Sequence, residues 1–162
     1  MDRICLGRMQ NPVRGFLHGA AAIAAVVGLI VLLASNPGGF GLTVSLAVYA
    51  GSLVVMFAAS SLYHSIPWGD RWKERMRRIA HAAIFPVVAG TFTPLAVVSL
   101  EGAWEIATLS AVWTGAIVGI VIKFVERRVH LGTSVTIQNL MGWAAAIPMW
   151  QIGRRLGIDT VV

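Results

Sequence analysis

Five long apolar stretches constrain the fold of this chain more than any other feature of its sequence. They cover Gly15–Ser35, Leu42–His64, Ile79–Leu100, Ala103–Lys123 and, more weakly, Ser134–Gly153. A helix needs about 20 mostly apolar residues to cross a bilayer, and each stretch is close to that length. The sequence therefore predicts an all-α integral membrane bundle with five transmembrane helices.

The composition excludes the main soluble classes. Hydrophobic residues make up 57% of the 162 residues and charged residues only 12%, so the chain could not keep a soluble surface hydrated. The single cysteine, Cys5, cannot form a disulfide within the chain. A cleaved signal peptide is disfavoured for the first stretch, because its apolar run exceeds the usual length of about 7–15 residues.

Basic residues mark one side of the predicted bundle. Eleven of the 13 Lys and Arg lie in the N-terminal tail, in the link 65–78 or at the end of the fourth span, and only Arg154 and Arg155 fall on the other side. Basic loops stay in the cytoplasm. We therefore expect a multi-pass protein of the plasma membrane with a cytoplasmic N-terminus, and the net charge of +6 does not indicate nucleic-acid binding.

Three histidines are predicted to lie at one level of the membrane. His18 is near the start of the first span, His64 ends the second and His81 is near the start of the third. Ser60 shares a helix face with His64. Three imidazoles and a water could form a catalytic zinc site. The alternative, which the sequence alone favours, is that each histidine is solvated at a helix end.

Other polar and small residues leave alternatives open. Gly115 and Gly119 form a GxxxG spacing that allows close helix packing, with a partner in this chain or in another. Thr91 and Thr93 could line a cavity, although bonding back to their own helix near its prolines is favoured. A pore would need a polar lining. The candidates are His18, Ser60, His64, Thr91, Thr93, Gln138 and Asn139.

Four tryptophans are interpreted from their depth. Trp68 and Trp72 lie at the predicted inner boundary, where aromatic residues are favoured. Trp113 and Trp143 lie deeper in their spans, and we interpret them as packing residues.

Three strings of residues also match a known family in order and spacing. They are NPVRGFLH at 11–18, SSLYH at 60–64 and RRIAHAAIF at 77–85, the last continuing to AGTFTP at 89–94. On these strings the chain resembles the hemolysin III-type membrane proteins, the bacterial branch of the progestin and adipoQ receptor family. The resemblance covers nearly the whole chain.

The resemblance implies a seven-helix fold with a zinc site at its cytoplasmic side. His64 would be a zinc ligand and Ser60 would lie beside the metal at a catalytic position. Relatives are proposed to hydrolyse lipid amides such as ceramide, and bacterial members were named for cell lysis. In the family, an aspartate contacts the metal-bound water and a His-x-x-x-His pair on the seventh helix completes the ligands.

This sequence departs from the family pattern at two places. Ala80 stands at the aspartate position, and no His-x-x-x-His pair is present. His18 and His81 are the only imidazoles at the right depth to replace the missing ligands. We therefore expect residues 1–162 to form one hemolysin III-like transmembrane domain that lacks the last two helices at its C-terminal side.

Three functions from different classes follow from these observations. The first is a degenerate or truncated family member with a lipid-related or cytolytic role. The second is a zinc-dependent hydrolase of lipid amides, and the third is a pore-forming protein. The expected partners are the lipid bilayer, a membrane lipid as substrate and a second copy in a helix–helix oligomer.

Overall fold

All the secondary structure in the described part of the chain is helical. The structure, a computed structural model, describes residues 9–125, 131–144 and 153. Its helices are α1 (Pro12–Ala34), α2 (Phe40–Ser65), α3 (Asp70–Ala82), α4 (Ile84–Ser99), α5 (Ala103–Val125) and α6 (Leu131–Ala144). The predicted all-α class is therefore confirmed.

Four segments of the described chain are long and apolar enough to cross a membrane. They are α1, α2, the continuous segment Asp70–Ser99 that joins α3 to α4, and α5. The protein is therefore a multi-pass membrane protein, and the first four predicted spans are confirmed. Of the fifth predicted span, only the part within α6 and Gly153 are described. Cys5, Arg3, Arg8, Arg127, Arg128, Arg154 and Arg155 also lie outside the described residues.

Local sequence signals explain how α1 begins and how it connects to α2. The side chain of Asn11 accepts a hydrogen bond from the backbone N–H of Arg14 at 3.1 Å, and Pro12 occupies the first helical position. At the other end, the Asn36 side chain accepts from Gly38 N–H and donates to Thr43. The uncharged Asn-Pro-Gly-Gly string therefore forms a tight turn between two antiparallel spans.

The basic link expected at 65–78 is mostly helix, which corrects the sequence-based boundaries. Only 66–69 form a loop before α3 begins, and the helix is interrupted again at Ala83. Pro86 lacks the N–H that would bond the carbonyl of Ala82, so the interruption just before it has a direct cause. Pro94, by contrast, lies inside α4 without ending it.

The helices are packed with α4 at the centre. It lies between α2 and α5, while α1 packs along α2 at one edge and α6 contacts α4 and α5 at the other. The core is formed between α4, α5 and α6. Its buried members are Phe85, Ala89, Val112, Ala116 and Met141.

The GxxxG spacing of α5 serves packing within this chain. A Cβ atom at Gly119 would collide with the ring of Phe85 from α4, and one at Gly115 would lie 3.1 Å from Cγ of Met141 from α6. Both glycines therefore receive side chains of neighbouring helices, which answers the question that the sequence left open.

The two deep tryptophans differ from each other. Trp113 packs against the core and donates its indole N–H to Thr93 at 3.2 Å, as expected of a packing residue. Trp143 is 76% exposed, so its interpretation as a packing residue was wrong. Met141 faces the core, and two residues later an α-helix has turned by about 200°, which places Trp143 on the opposite face.

The two threonines of α4 bond back to their own helix. Thr91 donates to the carbonyl of Val87 at 2.8 Å, and Thr93 donates to that of Ala89 at 2.9 Å. The favoured interpretation of these residues is confirmed. Their hydroxyls satisfy helix carbonyls near Pro94, as is usual where a proline interrupts the pattern of a membrane helix.

Candidate functional site

Small residues bring the start of α1 against the end of α2. A Cβ atom at Gly15 would collide with the Ser65 hydroxyl, and one at Gly19 would lie 3.1 Å from Oγ of Ser61. The Ser61 hydroxyl donates to the carbonyl of Gly15 at 2.8 Å. Close backbone approach through small residues is the usual way in which membrane helices associate. It fixes the register in which His18 meets the last turns of α2.

A second contact joins the same two helix ends. The backbone N–H of Asn11, the N-cap of α1, donates to the carbonyl of His64 at 3.3 Å. This carbonyl belongs to the last turn of α2, where intrahelical partners run out. The first turn of α1 and the last turn of α2 are thus held together by backbone and side chain.

All three predicted histidines line one cavity at this end of the bundle. Its volume is about 330 Å³. The lining residues are Arg14, His18, Met56, Ser60, Tyr63, His64, Ala80, His81 and Ile84. Three helices therefore bring the three imidazoles and Ser60 into one cavity, as residues at a common level would be, and their level in the membrane stays a prediction. We call this space the histidine cavity.

The imidazoles of His18 and His64 are neighbours, 6.3 Å apart between ring centroids. Phe57 packs edge-on against His18, and the Tyr63 ring lies 4.8 Å from that of His64. The Nδ1 atoms of both histidines are buried, and neither finds a hydrogen-bond partner within the part of the chain that the structure describes. Buried polar atoms are normally paired, so these two nitrogens mark where a ligand could bind.

The histidine cavity is lined by basic side chains and by no carboxylate among the described residues. Arg14 and three histidines line it, and none of the described lining residues is acidic. Ala80, where the resemblance implies an aspartate, contributes a methyl group to the wall and is itself buried. A cavity of this kind favours an anion or a neutral group rich in hydrogen-bond acceptors.

The described residues do not by themselves form a zinc site. No three His, Cys, Asp or Glu side chains are grouped so that they could hold a metal ion within residues 9–125 and 131–144. Zinc sites in proteins use three or four protein ligands. The roles of His64, His18 and His81 as zinc ligands and of Ser60 as a catalytic residue therefore stay predictions, without support from this geometry.

Sequence reasoning missed two basic residues of this region. Arg14 lies one turn before His18, and that spacing alone could have assigned it to the same face. Lys123 was counted only as an end-of-span charge, but it is 1% exposed, and its ammonium has no hydrogen-bond partner among the described residues. Arg78 donates to the backbone carbonyls of Lys123 and Phe124, at 3.4 and 3.1 Å. No sequence pattern distinguishes a buried lysine from a solvated one at a helix end.

Comparison with known proteins shows which family the chain matches. The chain matches the family described as Haemolysin-III related over residues 7–160. It is 33% identical to Hemolysin-3 of Bacillus cereus over 128 residues, which are 78% of this chain and 58% of the relative. It is 34% identical to the Hemolysin-3 homolog of Bacillus subtilis (strain 168) over 134 residues, which are 80% of this chain and 62% of that relative.

The match therefore covers most of this chain but only part of each relative. The aligned region spans about three fifths of the length of these curated relatives. No solved structure matches the chain significantly. Because the family match covers nearly the whole sequence, including all three histidines of the cavity, this membrane protein belongs to the haemolysin-III related family.

Proposed function

We propose that this protein binds the polar headgroup of a membrane lipid in the histidine cavity. The observation that carries the proposal is the lining itself, where an arginine and three imidazoles surround the space without an acidic residue. This binding role would give the hemolysin III-like membrane protein a lipid-related function.

The position of the cavity suits a lipid better than a water-soluble ligand. It lies where α1 begins and α2 ends, and both helices are long and apolar enough to cross a membrane. Next to it on α1, Val13 and Leu17 expose apolar side chains. A lipid can therefore place its headgroup in the cavity while its acyl chains lie along the apolar surface of α1.

The donor groups in the cavity fit a phosphate or another acceptor-rich headgroup. The guanidinium of Arg14 is exposed at the edge of the cavity and matches phosphate geometry with two parallel N–H donors. The unpaired Nδ1 atoms of His18 and His64 lie deeper. A headgroup that bonds them would remove the cost of leaving buried polar atoms unsatisfied, about 1–3 kcal/mol each.

Lipid titration of the purified protein tests this proposal. We expect His64→Phe, which keeps a ring but removes the nitrogens, to weaken headgroup binding by about tenfold, the equivalent of one buried hydrogen bond. The matched control is His130→Phe, which removes an imidazole outside the described residues. Equal affinities of the wild type and His64→Phe would refute the proposal.

A cytolytic role is a second candidate, and the names of the two relatives favour it. The described polar residues do not favour a continuous pore, since the hydroxyls of Thr91 and Thr93 are bonded to their own helix. Release of a dye from vesicles by the reconstituted protein measures this role. Retention of the dye at all protein-to-lipid ratios would reject it.

A zinc-dependent hydrolase is the third interpretation, and it needs a metal. Metal analysis of the purified protein decides the point independently of lipid binding. We expect substoichiometric zinc that is unchanged by His64→Ala. Zinc bound at one atom per chain and lost in that variant would instead favour the hydrolase.

We also propose that the N-terminus faces the cytoplasm of the cell and that the protein lies in the plasma membrane, because most basic residues would then be inside. Cys5 is the only cysteine and lies in the N-terminal tail. A membrane-impermeant maleimide should therefore leave intact cells unlabelled and label them after permeabilisation, with Cys5→Ser as the control. Labelling of Cys5 in intact cells would show that the N-terminus lies outside the cell and would contradict the proposed orientation.

A further inference from the structure

A second polar region lies outside the histidine cavity, on the N-terminal half of α3 and the loop just before it. Five residues define it, and we call it the basic–aromatic surface. They are Trp68, Arg71, Trp72, Lys73 and Arg75. It shares no lining residue with the histidine cavity. The binding of a ligand there is therefore a separate question from the proposed function.

Two cations of this surface, Lys73 and Arg75, take no part in the ion pairs of Glu74. Lys73 and Arg75 are exposed. The Glu74 carboxylate between them is engaged by Arg77 at 2.6 Å and by Arg78 at 3.1 Å. Asp70, at the start of α3, is the other acidic residue of the helix. With five basic residues and two acidic ones, α3 keeps a clear positive excess.

The two tryptophans connect the same surface to the end of α2. Trp68 and Trp72 stack with ring centroids 6.3 Å apart, and the guanidinium of Arg75 lies 5.2 Å from the Trp72 ring centroid. The indole N–H of Trp68 donates to the carbonyl of Leu62 in α2 at 3.0 Å. Tryptophan is enriched at the level of lipid headgroups. The stacked pair thus ties the cations of α3 to the polar end of a membrane-spanning helix.

We propose that the basic–aromatic surface binds the phosphate groups of anionic phospholipids in the leaflet that it faces. The surface contributes three of the five Lys and Arg of α3, and a cluster of four to eight such residues directly beside a membrane helix is the usual composition of a site for anionic lipids. The segment Asp70–Ser99 runs without a long break from this cluster into an apolar span. The stacking of Arg75 on Trp72 orders its side chain, so less conformational freedom is lost when a phosphate binds.

Spin-labelled lipids in proteoliposomes test the proposal. The selectivity for phosphatidylglycerol over phosphatidylcholine is read from the fraction of motionally restricted label. We expect the double variant Lys73→Gln/Arg75→Gln to lose selectivity, by up to about fivefold for each cation removed. The wild type should lose selectivity in high salt as well, because exposed charges are screened.

A matched control separates this surface from the general positive charge of the protein. Arg127→Gln/Arg128→Gln removes the same charge at the same predicted level of the membrane, and it should lower the selectivity clearly less. Equal losses in the two double variants, or no loss in Lys73→Gln/Arg75→Gln, would overturn the proposal. If that double variant does not fold, the single variant Lys73→Gln and the salt titration of the wild type replace it. A loss of selectivity in both would support the proposal, and no loss in either would overturn it.

Discussion

The α4–α5–α6 core and the histidine cavity both have glycines that admit side chains of a neighbouring helix, but the two regions differ in how completely they are filled. At the α4–α5–α6 core, Gly119 makes room for the ring of Phe85, which is 0% exposed and fills the space completely. Beside the histidine cavity, Gly15 and Gly19 make room for the hydroxyls of Ser65 and Ser61 on α2, and an open space of about 330 Å³ remains. The glycine that admits a large apolar ring lies in a filled core, whereas the glycines that admit small hydroxyls lie beside a polar cavity.

The difference extends to the polar atoms of the two regions. In the core, the indole of Trp113 is paired with Thr93, which is in turn bonded to Ala89. In the histidine cavity, Nδ1 atoms of two histidines have no partner among the described residues. A region that is filled and fully bonded serves stability, and one that is open and incompletely bonded is available for a ligand.

The largest effect is expected from emptying the core. Phe85→Ala removes the ring that fills the space at Gly119 and should lower the free energy of unfolding by about 3 kcal/mol. Phe40→Ala is the control, because Phe40 is 86% exposed and should cost little. Unfolding in mixed micelles measures both. Similar losses for the two variants would show that Phe85 does not form the core described here.

Overfilling the same place should have a smaller effect. Gly119→Ala sets a methyl group against the Phe85 ring and is expected to cost about 1–3 kcal/mol of unfolding free energy. Adding Phe85→Leu should recover part of the loss, because the shorter side chain leaves room. Gly28→Ala is the matched control, since a Cβ atom there meets nothing within 4 Å. A loss that Phe85→Leu does not reduce would contradict the contact.

At the histidine cavity, an added negative charge should change the affinity for a lipid headgroup rather than the free energy of unfolding. Ala80→Asp places a carboxylate in the wall of the cavity and should weaken binding of an anionic headgroup by about 1 kcal/mol. Ala80→Asn has nearly the same size without the charge, and it should bind more tightly than Ala80→Asp. If both variants bind an anionic lipid equally, the positive character of the cavity has no role in binding.

The smallest effect on the free energy of unfolding is expected from the paired polar atoms of the core. Trp113→Phe removes the indole N–H that donates to Thr93 and should cost about 0.5–1.5 kcal/mol of unfolding free energy. Headgroup affinity should not change, because Trp113 lies outside the histidine cavity. A change in affinity as large as that of His64→Phe would mean that the two regions do not act separately.

Much of the architecture could be predicted from the sequence because bilayer thickness fixes the length of each span. The same argument, with alternating span directions, predicted the common level of His18, His64 and His81. What could not be predicted is which apolar residues face protein. Phe85 is buried and Val98 is 67% exposed, yet both belong to one apolar stretch. In a membrane the lipid-facing side is as apolar as the core, so periodicity does not separate them.

The polar part of α3 was missed for a related reason. Its basic residues were interpreted only as a topological signal, and the helix Asp70–Ala82 that carries them was expected to be a link. Trp143 was misplaced because depth in a span does not determine the face of a helix. The first error concerns how far a helix extends beyond the bilayer, and the second concerns its rotation about its own axis. Length and hydropathy determine neither.

Photo-crosslinking with a phosphatidylglycerol that carries a reactive group on its headgroup tests the central claim most directly. The account predicts labelled peptides from three places at once, the first turns of α1, the last turns of α2 around Ser60 and His64, and the end of α3 at His81. The labelling of all three should fall together in His64→Phe. Labels confined to the faces of α4 to α6, or unchanged in that variant, would contradict a headgroup site in the histidine cavity.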